Sequence, residues 1–133
     1  MKAVLLFRWY GEDRDKVMEN LDKMEEILRE IGHEVYHATK EIRSPDHQPF
    51  TQWKMLCRVF EEIDESDVII PIIKSDDISE GMLIEIGYAH AKSKKIVLLI
   101  KKGLKHRYLK EAADQTIEFK DFDDLLNKLK ELK

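Results

Sequence analysis

The stretch DVIIPIIKSDDISEGMLIEIGYA, residues 67–89, decides the fold. After Asp67 its first part is continuously apolar, the pattern of a strand buried on both faces, and such strands belong to parallel sheets covered by helices. Pro71 counts against a central position, because a central strand needs each ladder N–H and proline has none. A polar loop with Asp76 and Asp77 follows, and then the helical segment Gly81-Met82-Leu83-Ile84-Glu85-Ile86-Gly87-Tyr88-Ala89. Glu85 is the odd residue there. A glutamate on an arbitrary helix faces solvent, but this one is flanked by Met82, Leu83, Ile84 and Ile86, which are apolar on several sides.

Outward from that unit the same alternation repeats. Residues 3–7 (AVLLF) are a short apolar run that fits a buried strand, and residues 13–31 switch to helical period through Val17, Leu21, Met24, Ile27, Leu28 and Ile31, with Gly32 as the stop. Residues 34–37 read as a second strand and 44–49 as a loop. Thr51 caps a helix to about residue 65 that carries Trp53, Leu56, Val59, Phe60 and Ile63. Downstream come a strand at 96–100, a short helix at 108–113, a strand at 116–119 and a closing helix at 122–132 with Leu125, Leu126 and Leu129 in one stripe.

Strand and helix alternating throughout, with right-handed crossovers, predict a single α/β domain over residues 1–133: an open, flavodoxin-like parallel sheet of five strands in the order 2-1-3-4-5, helices on both faces. Ligands on such sheets bind beyond the carboxyl ends of the strands where the winding reverses, here between the first and third strands. The loops after Phe7 and after Ile73 are therefore the site loops. Glu85, on the first turns of the helix after the third strand, points at that crevice. Partial desolvation there raises a carboxyl pKa and favours a chemical role.

Composition narrows the classes. The 133 residues suit one domain, and a 38% charged content rich in Lys and Glu suits an intracellular protein, with a hint of a thermophilic source. At a net charge of −4, with basic residues only in short patches of the kind that are usually solvated turns, duplex nucleic acid is not an expected partner. No apolar run approaches the roughly 20 residues that span a bilayer, and no signal layout opens the chain, so a cytoplasmic location without membrane contact is expected. Cys57 is the single cysteine and falls in an apolar helical pattern, as a buried structural thiol would.

Other motifs are weak. His33-Glu34-Val35-Tyr36-His37 matches H-E-x-x-H, but that pattern chelates zinc only on a helix, and Gly32 has just ended one. On a strand the two imidazoles stand about 13 Å apart. His47, His90 and His106 are scattered and suggest no third ligand. Neither a P-loop nor a G-x-G-x-x-G sequence is present, and no metal or cofactor is expected.

The residues Ser66-Asp67-Val68-Ile69-Ile70, the segment at 81–89 and the run Lys94-Lys95-Ile96-Val97-Leu98-Leu99 together resemble the nucleoside 2-deoxyribosyltransferase family, which includes the 2'-deoxynucleoside 5'-phosphate N-hydrolases. The likeness is strongest over residues 60–100. It implies that Glu85 is the nucleophile that attacks C1' of the sugar, forming a glycosyl ester resolved by water or by a second base. It also implies a small nucleoside or nucleotide as substrate, and a homodimer. Six residues before the glutamate the transferases tend to carry Asp and the hydrolases a phosphate-holding Ser; here it is Ser79, which favours a nucleotide.

Two departures from the pattern matter. The family's Asp eight residues before the Asp that opens the third strand is Val59 here, leaving Glu61, Glu62 or Asp64 to stand in, with Glu62 nearest in helical direction. The first loop runs Phe7-Arg8-Trp9-Tyr10-Gly11, in which Arg8 suits a phosphate and Trp9 or Tyr10 a stacked base. The expected site is thus Glu85 and Glu62 as catalytic residues, with Arg8, Trp9, Tyr10, Ser79 and Gly81 on the substrate. A non-catalytic nucleotide-binding or signalling module of the same fold is the alternative. A receiver-like domain is weaker, since its acidic cluster after the first strand is missing.

Overall fold

The computed structural model describes residues 1–8, 13–43 and 51–132. Five strands, β1 (Lys2–Leu6), β2 (Glu34–Tyr36), β3 (Val68–Ile73), β4 (Lys95–Lys101) and β5 (Gln115–Phe119), form one sheet in the order β2-β1-β3-β4-β5. Every pairing is parallel. The expected α/β class and strand order both hold.

Pro71 is accommodated. Toward β1 the ladder runs from Ala3–Val68 to Leu6–Pro71, while toward β4 the partners are Val68–Lys95, Ile69–Ile96, Ile72–Leu99 and Ile73–Ile100. The β4 ladder is broken around the proline, which has no N–H to give, and resumes in the same register.

Alternate residues of the strands feed two cores, one on each face of the sheet. Leu5, Ile70, Ile72, Val97 and Leu99 pack with Val17, Leu21, Met24 and Leu28 of α1 (Arg14–Glu30) and with Leu125 and Leu129 of α6 (Phe122–Leu129). On the other face Val4, Leu6, Ile69, Ile73, Leu98 and Ile100 meet Val59 and Ile63 of α3 (Gln52–Asp64) and Met82, Ile86 and Ala89 of α4 (Glu80–Ala91). A short α2 (Thr39–Arg43), not anticipated from the sequence, follows β2, and α5 (Arg107–Ala112) follows β4.

Four helices open on side-chain caps: Asp13 accepts from Lys16 N, Thr51 from Lys54 N, Ser79 from Met82 N and Asp121 from Asp124 N. Thr51 and Ser79 set the starts of α3 and α4 at the crevice. Because the strands are parallel, α3 and α4 both begin at the carboxyl edge of the sheet and run back toward its amino edge. Among the described residues, no helix is long and apolar enough to cross a membrane.

Candidate active site

Glu85 owes its position to the stripe on α4. Met82, Ile86 and Ala89 face the sheet and are buried. Glu85 lies on the flank of that stripe, in line with Gly81 one turn before it and Tyr88 nearly one turn after. That flank faces α3. Tyr88 stacks on Phe60 of α3 with ring centroids 4.1 Å apart, and its hydroxyl donates to Asp64 Oδ1 at 2.7 Å. The two helices are pinned together below Glu85, and above it they diverge around a cavity of about 710 Å³.

The cavity sits at the carboxyl ends of β1 and β3, the reversal point of the sheet. Its floor is apolar: Val4 and Leu6 of β1, Val59 and Leu56 of α3, and Met82. Arg8, Asp77, Ser79, Gly81 and Glu85 line it from the two loops and the start of α4, and Trp53, Gln52 and Arg14 stand at its mouth. The structure therefore brings together Arg8, Ser79, Gly81 and Glu85. Trp9 and Tyr10, and the loop at 44–50, lie outside the described residues.

Burial in this apolar wall pushes the Glu85 carboxyl up to about 7. No described cation or hydrogen-bond donor pairs with it, so desolvation acts without an opposing charge. At the other end of the cavity Arg8 Nη2 stands 2.9 Å from Asp77 Oδ2, and Nη1 donates to the Asp77 carbonyl at 3.4 Å. Ser79 Oγ accepts from Met82 N at 3.2 Å, which leaves its own proton free to donate. A Cβ built on Gly81 meets nothing within 4 Å, so the backbone there borders open space.

Glu62 is not in this site. It lies one helical turn beyond Val59 toward the amino edge of the sheet, where Lys2 Nζ approaches Oε2 at 2.7 Å and Arg58 Nη2 approaches Oε1 at 2.5 Å. Burial pushes its carboxyl up, but the hydrogen bonds and charges of Lys2 and Arg58 outweigh burial and hold it below the ordinary value. Glu61 and Asp64 are exposed on the same helix. Val59 itself does face the cavity.

Sequence reasoning missed Tyr36, the last residue of β2, which lines the cavity beside Ala38. Its hydroxyl donates to Glu41 Oε1 at 3.1 Å, Glu41 binds Arg58 Nε at 2.9 Å, and the Arg58 guanidinium lies over the Tyr36 ring at 5.4 Å. Burial first, then the Glu41 charge, raise the phenol well above its usual range, so it stays a protonated donor. The strand order alone places the end of β2 next to the loop after β1, and that was the available signal.

H-E-x-x-H lies across β2, with His33 before the strand and His37 after it. His37 is buried, with Nδ1 against Thr39 Oγ1 and Nε2 3.2 Å from Glu25 Oε1. The two histidines thus flank a strand, as the sequence indicated. Cys57 is half-buried in α3.

The profile of the nucleoside 2-deoxyribosyltransferase family matches residues 9–128. The sheet is the open α/β class with its cavity at the switch point, and the chain belongs to the nucleoside 2-deoxyribosyltransferase family. No curated protein matches it. Among solved structures it is similar to the CMP N-glycosidase BcmB of Clostridium botulinum, at 22% identity and a TM-score of 0.72 over 97% of this chain and 98% of that one. It is likewise similar to a 2-deoxyribosyltransferase of Bacillus psychrosaccharolyticus, at 19% identity and 0.73 over 96% and 91%. BlsM aligns at 22% identity and 0.76 over 97% and 86%.

Proposed function

We propose that the protein cleaves the N-glycosidic bond of a nucleoside 5'-monophosphate, with Glu85 as the nucleophile. A Glu85 oxygen forms a bond to C1' as the C1'–N bond breaks; the electron pair leaves with the base, which takes up a proton. Water, or a second base, then attacks C1' and returns the carboxylate. The observation that carries this reading is the position of Glu85: unpaired, half-buried and facing the 710 Å³ cavity, at the switch point where the fold class binds ligands. The CMP N-glycosidase named among the similar structures supports a monophosphate.

The phosphate belongs at the Arg8 end. There the guanidinium, the Ser79 hydroxyl and the backbone N–H groups at the start of α4 converge, and a helix of 12 residues opens toward the cavity. The sugar then spans toward Glu85, and the base rests on the apolar wall of Leu56, Val59 and Tyr36. No metal or cofactor takes part in this scheme. Cytoplasmic nucleotide pools are the fitting source of substrate.

The second reading is a non-catalytic nucleotide-binding module. It is favoured by Val59, which puts an isopropyl group where relatives of this pattern carry a second carboxylate. Incubation with a panel of nucleosides and nucleoside monophosphates, followed by chromatography for free base, separates the two. Release of base that is lost in Glu85→Ala supports the enzyme, and tight binding without release supports the module.

Partner copies complete the proposal. Trp53 is 68% exposed and Ile84 51%, and both line the cavity. A homodimer that covers this apolar rim would close the site against water.

A further inference from the structure

Residues 101–110, Lys-Lys-Gly-Leu-Lys-His-Arg-Tyr-Leu-Lys, carry five formal positive charges and no carboxylate, in a chain whose net charge is −4. In the sequence alone this is a short basic patch. The structure adds that its cations are unpaired. Lys2, Arg8, Lys23, Arg29, Lys40 and Arg58 each hold a carboxylate. Among the described residues none lies in ion-pairing range of Lys101, Lys102, Lys105 or Arg107, and all four are exposed. Tyr108 stands among them at 88% exposure, above every other exposed large hydrophobic side chain described.

The turn that displays these groups is fixed from below. Gly103 takes φ +96, which glycine alone adopts at little cost, and His106 sits at φ 29, ψ 58 in the left-handed region. His106 Nε2 lies 3.3 Å from the Ser75 carbonyl and 3.5 Å from Asp76 Oδ1, tying the turn to the loop after β3. Leu104 and Leu109 pack into the core, and Lys110 Nζ donates to the Leu104 carbonyl at 3.0 Å. A rigid base thus presents cations and a bare aromatic ring to solvent.

We infer that this surface binds single-stranded nucleic acid, with backbone phosphates on Lys102, Lys105 and Arg107 and a base stacked on Tyr108. Unpaired cations concentrated on one turn attract a polyanion, and the exposed ring discriminates among polyanions, because only one with free base faces gains from it. A duplex hides those faces in its stack, so it gains nothing from the exposed ring. None of these residues lines the cavity of Glu85, so the site stands independently of the proposed glycosidase reading.

The test is fluorescence anisotropy of a labelled oligothymidylate of about 12 nucleotides, a length within reach of known single-strand sites, titrated with the full chain. The expected slope of log affinity against log salt is about −2, falling to about −0.7 in Lys105→Ala/Arg107→Ala. Tyr108→Ala is expected to weaken binding about tenfold. Inorganic polyphosphate should compete poorly, and CMP should not displace the oligomer. Three results overturn the inference: polyphosphate or poly-glutamate bound as tightly as the oligomer with no effect of Tyr108→Ala, displacement by CMP, or binding that survives Lys105→Ala/Arg107→Ala unchanged.

Discussion

Arg8 at the end of β1 and Asp77 in the loop before α4 face each other across the head of the cavity, 2.9 Å apart at Nη2 and Oδ2. Asp77 is largely exposed, with 76% of its side chain accessible, so the pair itself contributes little to stability. Its meaning is positional. In the proposed site a phosphate displaces this one singly charged carboxylate and gains a bidentate contact with the guanidinium.

Replacing the Asp77 carboxylate removes the negative charge that Arg8 Nη2 faces. Asp77→Asn is expected to raise affinity for a nucleoside monophosphate a few-fold and to leave the nucleoside unchanged, whereas Arg8→Ala weakens the monophosphate by about tenfold or more, the worth of a charged hydrogen bond. Calorimetric titration of both ligands against the three proteins measures this. Equal affinity for nucleoside and monophosphate in the parent protein would remove the phosphate site.

The Glu85 carboxyl gives the second prediction. Its folded value near 7 lies above the ordinary 4.5, so between those limits the folded state binds more protons than the unfolded one. Unfolding free energy therefore falls as pH rises from about 4.5 through 7, by at most about 3 kcal/mol. Glu85→Gln abolishes that loss and should be more stable than the parent at pH 8, but not at pH 4. Turnover requires the ionised nucleophile and should rise with a midpoint near pH 7, while Glu85→Ala lowers it at least about a thousandfold. Denaturant melts at the two pH values, beside a pH–rate profile, check both signs.

Glu62 behaves in the opposite sense. Its depressed pKa contributes stability that is complete above about 4.5, the ordinary carboxyl value, and is lost as pH falls through the folded value. Glu62→Ala leaves Lys2 and Arg58 without their shared partner and is expected to cost about 1–3 kcal/mol while leaving kcat within about twofold of the parent. A large fall in kcat at unchanged stability would return Glu62 to the catalytic machinery.

That contrast shows what the sequence could and could not reveal. The apolar run of β3 and the apolar neighbours Met82, Leu83, Ile84 and Ile86 of Glu85 are local patterns. They were enough to place Glu85 at the switch point. Helical direction also made Glu62 the nearest stand-in for Val59, but direction leaves out rise: three residues advance a helix about 4.5 Å along its axis, enough to carry Glu62 away from the crevice. Its partner Lys2 is 60 positions distant in sequence, and no periodicity announces such a pair. Tyr36 and Ala38 were passed over because β2 is only three residues long, and α2 because five residues show no stripe; its first turn rests on Lys40 N and Glu41 N bonding the carbonyls of His37 and Ala38.

The last prediction concerns the cavity rim. Met55 and Leu56 of α3 are half-buried and Val59 is buried, which leaves Trp53 as the large exposed apolar side chain of that helix, at the same opening as Ile84 of α4. Large apolar side chains grouped at the mouth of a cavity mark a surface to be covered. A glycosyl ester on Glu85 needs such cover to control which acceptor reaches it. A second copy of the chain supplies the cover in the proposed dimer, so light scattering at micromolar concentration should give about twice 15.8 kDa. Trp53→Lys with Ile84→Glu should restore the monomer with the fold intact by circular dichroism. Turnover should then fall, with a rise in KM larger than the loss of kcat, because the variant keeps Glu85 but opens the substrate to solvent. A parent protein that runs as a monomer, or a monomeric variant with unchanged kinetics, separates the rim from catalysis and leaves Trp53 to act on substrate within its own chain.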